Sequence, residues 1–437
     1  MFKRIGARAR AADRSKCIDS AFSQLLGHID NNGFTKASLT YEWYGASWFR
    51  DSSMVVLGLL DCAEMYSSKN PEKYSEAVTN AGKILDFMWL VTAENLHKIS
   101  AANTLDKDSK HFKALDNHLP ARVNPKGGYF SIESNGRNYS DQSEAGKDSW
   151  LRQYDSIPLI FIATDKFIEA FGQKALPQRA VENIRQAFPE TIKYISRVYD
   201  TPCSNAWELD WSEMHSYTVA SISSGMKSAA RVAEKLGITA DQKFIASKAA
   251  DIDKFLESTF IREGILCKSA KINGKLSYTD RNMPVDASEI FIFSLFKPAL
   301  PAEVEKNTIA KIESDLFAGN TLPIRFEGDT YFTGGRWLLC GLEFARYCAD
   351  KGNIGKSGKI IKHIESRYSA YGMMLPEQEI TNVASPKGDP DHYLEKNGNS
   401  PISDLAWSEA EYLRAVCAYS KRLQVSGIAA LSKTLRR

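Results

Sequence analysis

Two glutamates in unlike settings are the residues here whose type and surroundings could move protons. In Cys203-Ser204-Asn205-Ala206-Trp207-Glu208-Leu209-Asp210-Trp211 a carboxyl lies between tryptophans. Partly apolar surroundings penalise the charged form of a carboxyl, so Glu208 reads as a group able to keep its proton near neutrality, as a general acid must. Read without chemistry, it is an exposed glutamate in a loop. Glu377, in Leu375-Pro376-Glu377-Gln378, is a second carboxylate far downstream. It could face the first across a pocket only if the fold brings the two together, and spacing alone does not say so.

Two further loops join arginine to acid beside aromatic residues. Tyr44-Gly45-Ala46-Ser47-Trp48-Phe49-Arg50-Asp51 precedes a strongly apolar helix. Asp51 reads either as the N-cap of that helix or, with Arg50, as a donor–acceptor pair for sugar hydroxyls walled by Trp48. In Arg325-Phe326-Glu327-Gly328-Asp329 the same choice recurs between a loop salt bridge and a polar clamp.

Other chemistries find no motif. There is no phosphate-binding glycine loop, no GxSxG and no HExxH. The seven cysteines are scattered without a CxxC pair or Cys/His cluster, which argues against a metal centre or a disulfide framework. His215 lies near Glu208 but reads as structural, and Asp391-His392 has no evident partner. No cofactor is expected.

The elements that must carry these loops are helical nearly throughout. Apolar periodicity places helices near 12–29, 51–67, 71–96, 152–171, 178–198, 214–236, 240–259, 286–296, 303–316, 334–350, 355–369 and 404–422. They are of two kinds. Asp51–Tyr66 is apolar on most sides and suits a buried helix, and 214–236 carries Ala220, Ser221, Ser223, Ser224 and Gly225, which permit close helix approach. Gln178–Val198 and Ala240–Phe260 alternate apolar stripes with charge, as outer helices do. About twelve helices in inner and outer sets close into an all-α, α/α barrel with a pocket at one mouth. Residues 97–149 read as a long loop region with room for a short hairpin. Lys271-Ile272-Asn273-Gly274-Lys275-Leu276 reads as a β-hairpin. No linker divides the chain, so residues 1–437 are expected to form one domain.

At these residues the sequence resembles glycoside hydrolase family 15, the glucoamylase family. The likeness runs in order through Tyr44…Trp48-Phe49-Arg50-Asp51-Ser52, Trp150-Leu151-Arg152-Gln153-Tyr154-Asp155, Trp207-Glu208 and Val285-Asp286-Ala287-Ser288. It continues through Arg325-Phe326-Glu327-Gly328-Asp329-Thr330-Tyr331 with Trp337, then Pro376-Glu377-Gln378 and Asp404-Leu405-Ala406-Trp407-Ser408. The resemblance implies an (α/α)6 barrel and inverting hydrolysis at the non-reducing end of α-glucosides, releasing β-glucose. It implies Glu208 as general acid, Glu377 as base and Tyr44 as the tyrosine orienting that base. Arg50, Asp51, Arg325 and Asp329 would hold the terminal sugar, with Trp48, Trp150, Trp207 and Trp407 as walls. Leu209 departs from the fungal pattern, in which a second glutamate follows the acid, and this leaves the preferred linkage open between α-1,4, α-1,6 and trehalose. The alternatives are a non-catalytic glucoamylase-like regulatory or carbohydrate-binding domain, a trehalase-type hydrolase, or an unrelated α/α-barrel enzyme.

Composition bounds the partners. Lys+Arg 56 against Asp+Glu 53 gives a net charge of +3, too balanced for a nucleic-acid or membrane binder working by bulk attraction. The longest apolar runs, Ile157–Ala163 and Met54–Leu60, fall far short of the roughly 20 residues of a spanning helix. The basic start MFKRIGARARAADRSKC has no apolar core of a secretory signal. The expected setting is the cytoplasm, the expected partner a short α-gluco-oligosaccharide, and the expected state a monomer or small homo-oligomer.

Overall fold

The computed structural model describes residues 14–134, 137–210, 212–272, 276–277, 285–329, 331–368, 372–379 and 402–434. Twelve helices in two sets dominate them. The inner set is α2 (Phe49–Tyr66), α4 (Ser156–Phe171), α6 (Ser216–Leu236), α8 (Glu289–Phe291, continued as a π-turn over Ile292–Phe296), α10 (Leu338–Asp350) and α12 (Ala406–Thr434). Each packs against the next, and α12 returns to α2, closing the ring. The outer set alternates with it along the chain: α1 (Arg14–Gly27), α3 (Pro71–Glu94), α5 (Gln178–Val198), α7 (Gln242–Phe260), α9 (Ala302–Ile312) and α11 (Ile354–Arg367). This is the expected (α/α)6 barrel, and the twelve helices fall on the twelve stretches of apolar periodicity.

Sequence decides which helix goes where. In α2 the residues from Phe49 to Leu60 are all buried, and each large aliphatic side chain so buried stabilises the fold by about 1.5–3 kcal/mol. In α5 burial follows one stripe, Val181, Ile184, Phe188, Ile192 and Ile195, with charge on the other side. Two glycines let inner helices meet. A Cβ on Gly58 of α2 would stand 2.8 Å from the Ala410 Cα of α12, and one on Gly225 of α6 would stand 2.6 Å from the Pro158 Cα of α4.

The two sets also start differently. Three outer helices carry side-chain caps: Asn70 accepts from Lys73 N, Asp241 from Phe244 N and Asn353 from Lys356 N. Inner helices α2, α6 and α10 begin after Trp48, His215 and Trp337, whose side chains cap nothing. Backbone carbonyls from crossing loops take over: Phe49 N donates to Ala121 O, Ser216 N to Lys268 O and Leu338 N to Glu377 O. Short strand pairs hold those loops in place, Ser47–Trp48 against Arg122–Val123 and Arg336–Trp337 against Gln378–Glu379.

Several expectations are corrected. Residues 97–149 are not all loop: Leu96–Thr104 is a helix, because Ile99, Ala102 and Asn103 form a buried stripe against α5. A hairpin follows at Ser131–Ser134 and Arg137–Ser140. The arms of the expected hairpin pair Lys271 with Ser277 and Ile272 with Leu276, and Glu213–His215 adds a third strand. Its Asn273-Gly274 turn lies outside the described residues, as do Trp211, Thr330 and Asp391-His392. Asp51 is not an N-cap, since α2 starts two residues before it and the carboxylate faces the barrel mouth. All seven cysteines are free and buried. No helix among the described residues is long and apolar enough to cross a membrane.

Candidate active site

The inner helices present their N-termini to one end of the barrel, and a cavity of about 900 Å³ opens there. Tyr44, Trp48, Arg50, Asp51, Trp150, Trp207, Glu208, Arg325, Asp329, Glu377 and Trp407 all line it. Eleven residues singled out from sequence, spread from position 44 to position 407, thus line one cavity.

Glu208 reaches the cavity from a strained loop. Its φ is +66° and that of Asp210 is +54°, left-handed values that side-chain-bearing residues rarely adopt. Asn205 pins the turn, its Oδ1 accepting from Trp207 N (2.9 Å) and Leu209 N (3.0 Å). The expected apolar sleeve is not what surrounds the carboxylate. Trp48 Nε1 donates to Glu208 Oε1 at 2.6 Å, Gln153 Nε2 at 3.1 Å, and Arg50 Nη2 stands 3.9 Å away. The side chain is 27% exposed. The flanking indole of Trp207 turns elsewhere: its Nε1 donates to Asp286 at 2.8 Å, so its ring is held as a wall.

Glu377 is the buried carboxyl. It immediately precedes the strand Gln378–Glu379, whose Gln378 pairs with Trp337, and its own backbone carbonyl caps α10. Tyr44 OH lies 3.5 Å from Glu377 Oε1, while Oε2 is buried with no partner among the described residues. Burial pushes Glu377 up to about 8, against the pull of Arg325, with Asp51 and Asp329 adding to the rise. Asp51 behaves alike: burial lifts it to about 7, Arg50 opposes, and Glu208 reinforces. Acidic groups crowd one apolar-walled space, and each ionisation makes the next harder.

The arginines are fixed before any ligand arrives. Arg325 grips Asp329 with both arms, at 2.8 and 2.6 Å, and its guanidinium lies 4.5 Å from the Trp337 ring centroid and 4.9 Å from that of Tyr331. Arg50 Nη1 donates to Asp155 (2.9 Å) and Gln153 (2.7 Å), under the face of Trp407 at 5.9 Å. Trp407 is steadied by its own Nε1 donating to Glu411 at 3.0 Å and by stacking on Trp207. Such locked donors bind polar ligands without first losing side-chain freedom. Half-buried Trp150 stands nearer the mouth, over the guanidinium of Arg122.

His215 is not part of this surface. It is buried at the start of α6, its Nε2 3.1 Å from Asp210 O, and burial lowers its pKa. Several lining or supporting residues carried no role in the sequence reading. Gln153, Asp155, Tyr331, Trp337 and Asp286 lay inside the quoted motifs, so that signal was present. Arg122, held by Asp141 at 2.8 and 2.9 Å, lay in the segment read as loop and had no signal. Among the described residues one group could gather metal ligands, Asp61, Glu64 and Cys417, but it lies far along α2 and α12 from the cavity and already pairs with Lys421.

The sequence profile of Glycosyl hydrolases family 15 matches residues 20–399. Among solved structures, a wild-type glycosidase is 20% identical over 93% of this chain and 96% of its own, with a TM-score of 0.73. A glucoamylase from Saccharomycopsis fibuligera is 14% identical over 96% and 98%, at 0.60. A bacterial glucoamylase complexed with acarbose is 15% identical over 95% of this chain and 57% of its own, at 0.61. At such identities the likeness is one of fold. No curated protein sequence matches the chain.

Proposed function

Because the chain belongs to glycosyl hydrolases family 15 and is therefore a glycoside hydrolase, we propose that it works as a glucoamylase-like exo-enzyme, inverting the anomeric centre and releasing β-glucose from the non-reducing ends of short α-gluco-oligosaccharides. It would do so as a single catalytic domain in the cytoplasm. One observation carries the reading: Glu208 and Glu377, from distant loops, border one cavity walled by tryptophans and set with pre-fixed arginine–aspartate pairs.

The chemistry follows from the two settings. Glu208 protonates the glycosidic oxygen as the bond from that oxygen to the anomeric carbon breaks. Glu377, once ionised, takes a proton from water attacking the opposite face of the sugar, and its charge stabilises the cationic, oxocarbenium-like transition state. Tyr44 keeps Oε1 of Glu377 oriented, leaving unpartnered Oε2 for the water. Arg50, Asp51, Arg325 and Asp329 hold the hydroxyls of the terminal glucose. Trp48, Trp207 and Trp407 flank it, with Trp150 beside the leaving sugar.

Proton NMR of the first turnovers on maltose, isomaltose, panose, trehalose and dextran tests this. Initial release of β-glucose from a maltose- or isomaltose-type substrate is expected. Initial α-glucose would overturn inversion, and no glucose from any of the five would overturn the glucosidase reading.

A further inference from the structure

Gln153 lies 4% exposed between the two groups that matter most to the acid. Its Oε1 is 2.7 Å from Arg50 Nη1, and its Nε2 is 3.1 Å from Glu208 Oε1. A guanidinium can only donate, so the amide has one possible orientation: oxygen to Arg50, NH2 to Glu208. Trp48 Nε1, also a donor only, meets the same Oε1 at 2.6 Å, and Arg50 Nη2 faces it at 3.9 Å. Among the described residues nothing hydrogen-bonds the other oxygen, Oε2. An oxygen that already accepts from two fixed N–H groups cannot also carry a proton without turning it against a donor.

We propose that Gln153 is a positioning residue that reserves Oε1 of Glu208 as a pure acceptor and thereby keeps the transferable proton on Oε2. This rests on the reading of Glu208 as the acid. The step it serves is balanced simply: the Oε2–H proton passes to the leaving oxygen as its bond to the anomeric carbon breaks, and the attacking water gives its own proton to Glu377. Gln153 touches neither substrate nor water. Its effect therefore scales with how much proton the leaving group needs.

The test compares leaving groups in the full-length protein. A sugar alcohol needs a full proton to depart, whereas fluoride departs from α-glucosyl fluoride without one. In Gln153→Leu, kcat on the best disaccharide should fall about 10- to 100-fold, while kcat on α-glucosyl fluoride stays within about 3-fold of wild type. Gln153→Glu guards against a variant that does not fold, since it keeps an acceptor for Arg50 while putting a carboxylate oxygen in place of the N–H donor. It should show the same split. Equal losses on both substrates in a folded variant, or no loss on either, would overturn the role of Gln153. Wild-type protein that hydrolyses neither substrate would instead overturn the glucosidase reading beneath it.

Discussion

The Tyr44 hydroxyl sits between Tyr331 OH, at 2.8 Å, and Glu377 Oε1, at 3.5 Å. Tyr44 has one proton to give, so when it donates to Glu377 it receives from Tyr331. Removing that hydroxyl unties Glu377 from its only hydrogen-bonding side chain among the described residues. Tyr44→Phe should lower kcat by about 10- to 100-fold, because small misplacements of a reacting group cost that much, with KM shifted far less. Steady-state kinetics on the preferred disaccharide checks this, and an unchanged kcat would discard the orienting role.

Glu208→Gln and Glu377→Gln are each expected to lower kcat by roughly 10²- to 10⁴-fold, the range of general acid–base contributions. Neither should unfold the protein. Glu208 borders solvent, and the Glu377 carboxyl is already neutral below about 8. Turnover near wild type at saturating substrate, in either folded variant, would remove that residue from its part.

Burial gives Glu377 a pH signature of known sign. Its folded pKa, about 8, lies above the ordinary carboxyl value near 4.3. The raised pKa contributes stability fully below about pH 4.3, and that stability is lost as pH climbs through about 8. The melting temperature of the wild type should therefore decline over this window more steeply than that of Glu377→Gln. Parallel declines in the two proteins would contradict the assignment.

Helix contact supplies a prediction independent of chemistry. Gly225→Ala would drive a methyl to 2.6 Å from the Pro158 backbone. Overpacking of this kind costs about 1–3 kcal/mol, read as a lowered midpoint in urea with the slope unchanged.

The barrel was legible because its helices differ in burial and the sequence records the difference. Alanine, serine and glycine along α6 announced close approach, and the charged back of α5 announced solvent. The helix Leu96–Thr104 escaped because nine polar-leaning residues show little period until packing against α5 buries Ile99 and Ala102. At the site, Glu208, Glu377 and the two arginine–acid pairs were readable from residue type and motif. The setting of Glu208 was not, since the donors around it come from positions 48, 50 and 153 and only the closed ring brings them near. Asp51 shows the same limit: a capping residue and a sugar-binding one look alike in sequence, and the start of α2 at Phe49 removes only the capping reading.

The loops that shape the cavity also supply the carbonyls on which α2, α6 and α10 begin. A change of sequence at the mouth is thus felt twice, once by the ligand and once by a helix that has no other cap. Divergence in substrate use has to enter at places exempt from that double duty. Leu209, 37% exposed on the cavity wall and bonded through its backbone to Asn205 rather than to a helix start, is such a place.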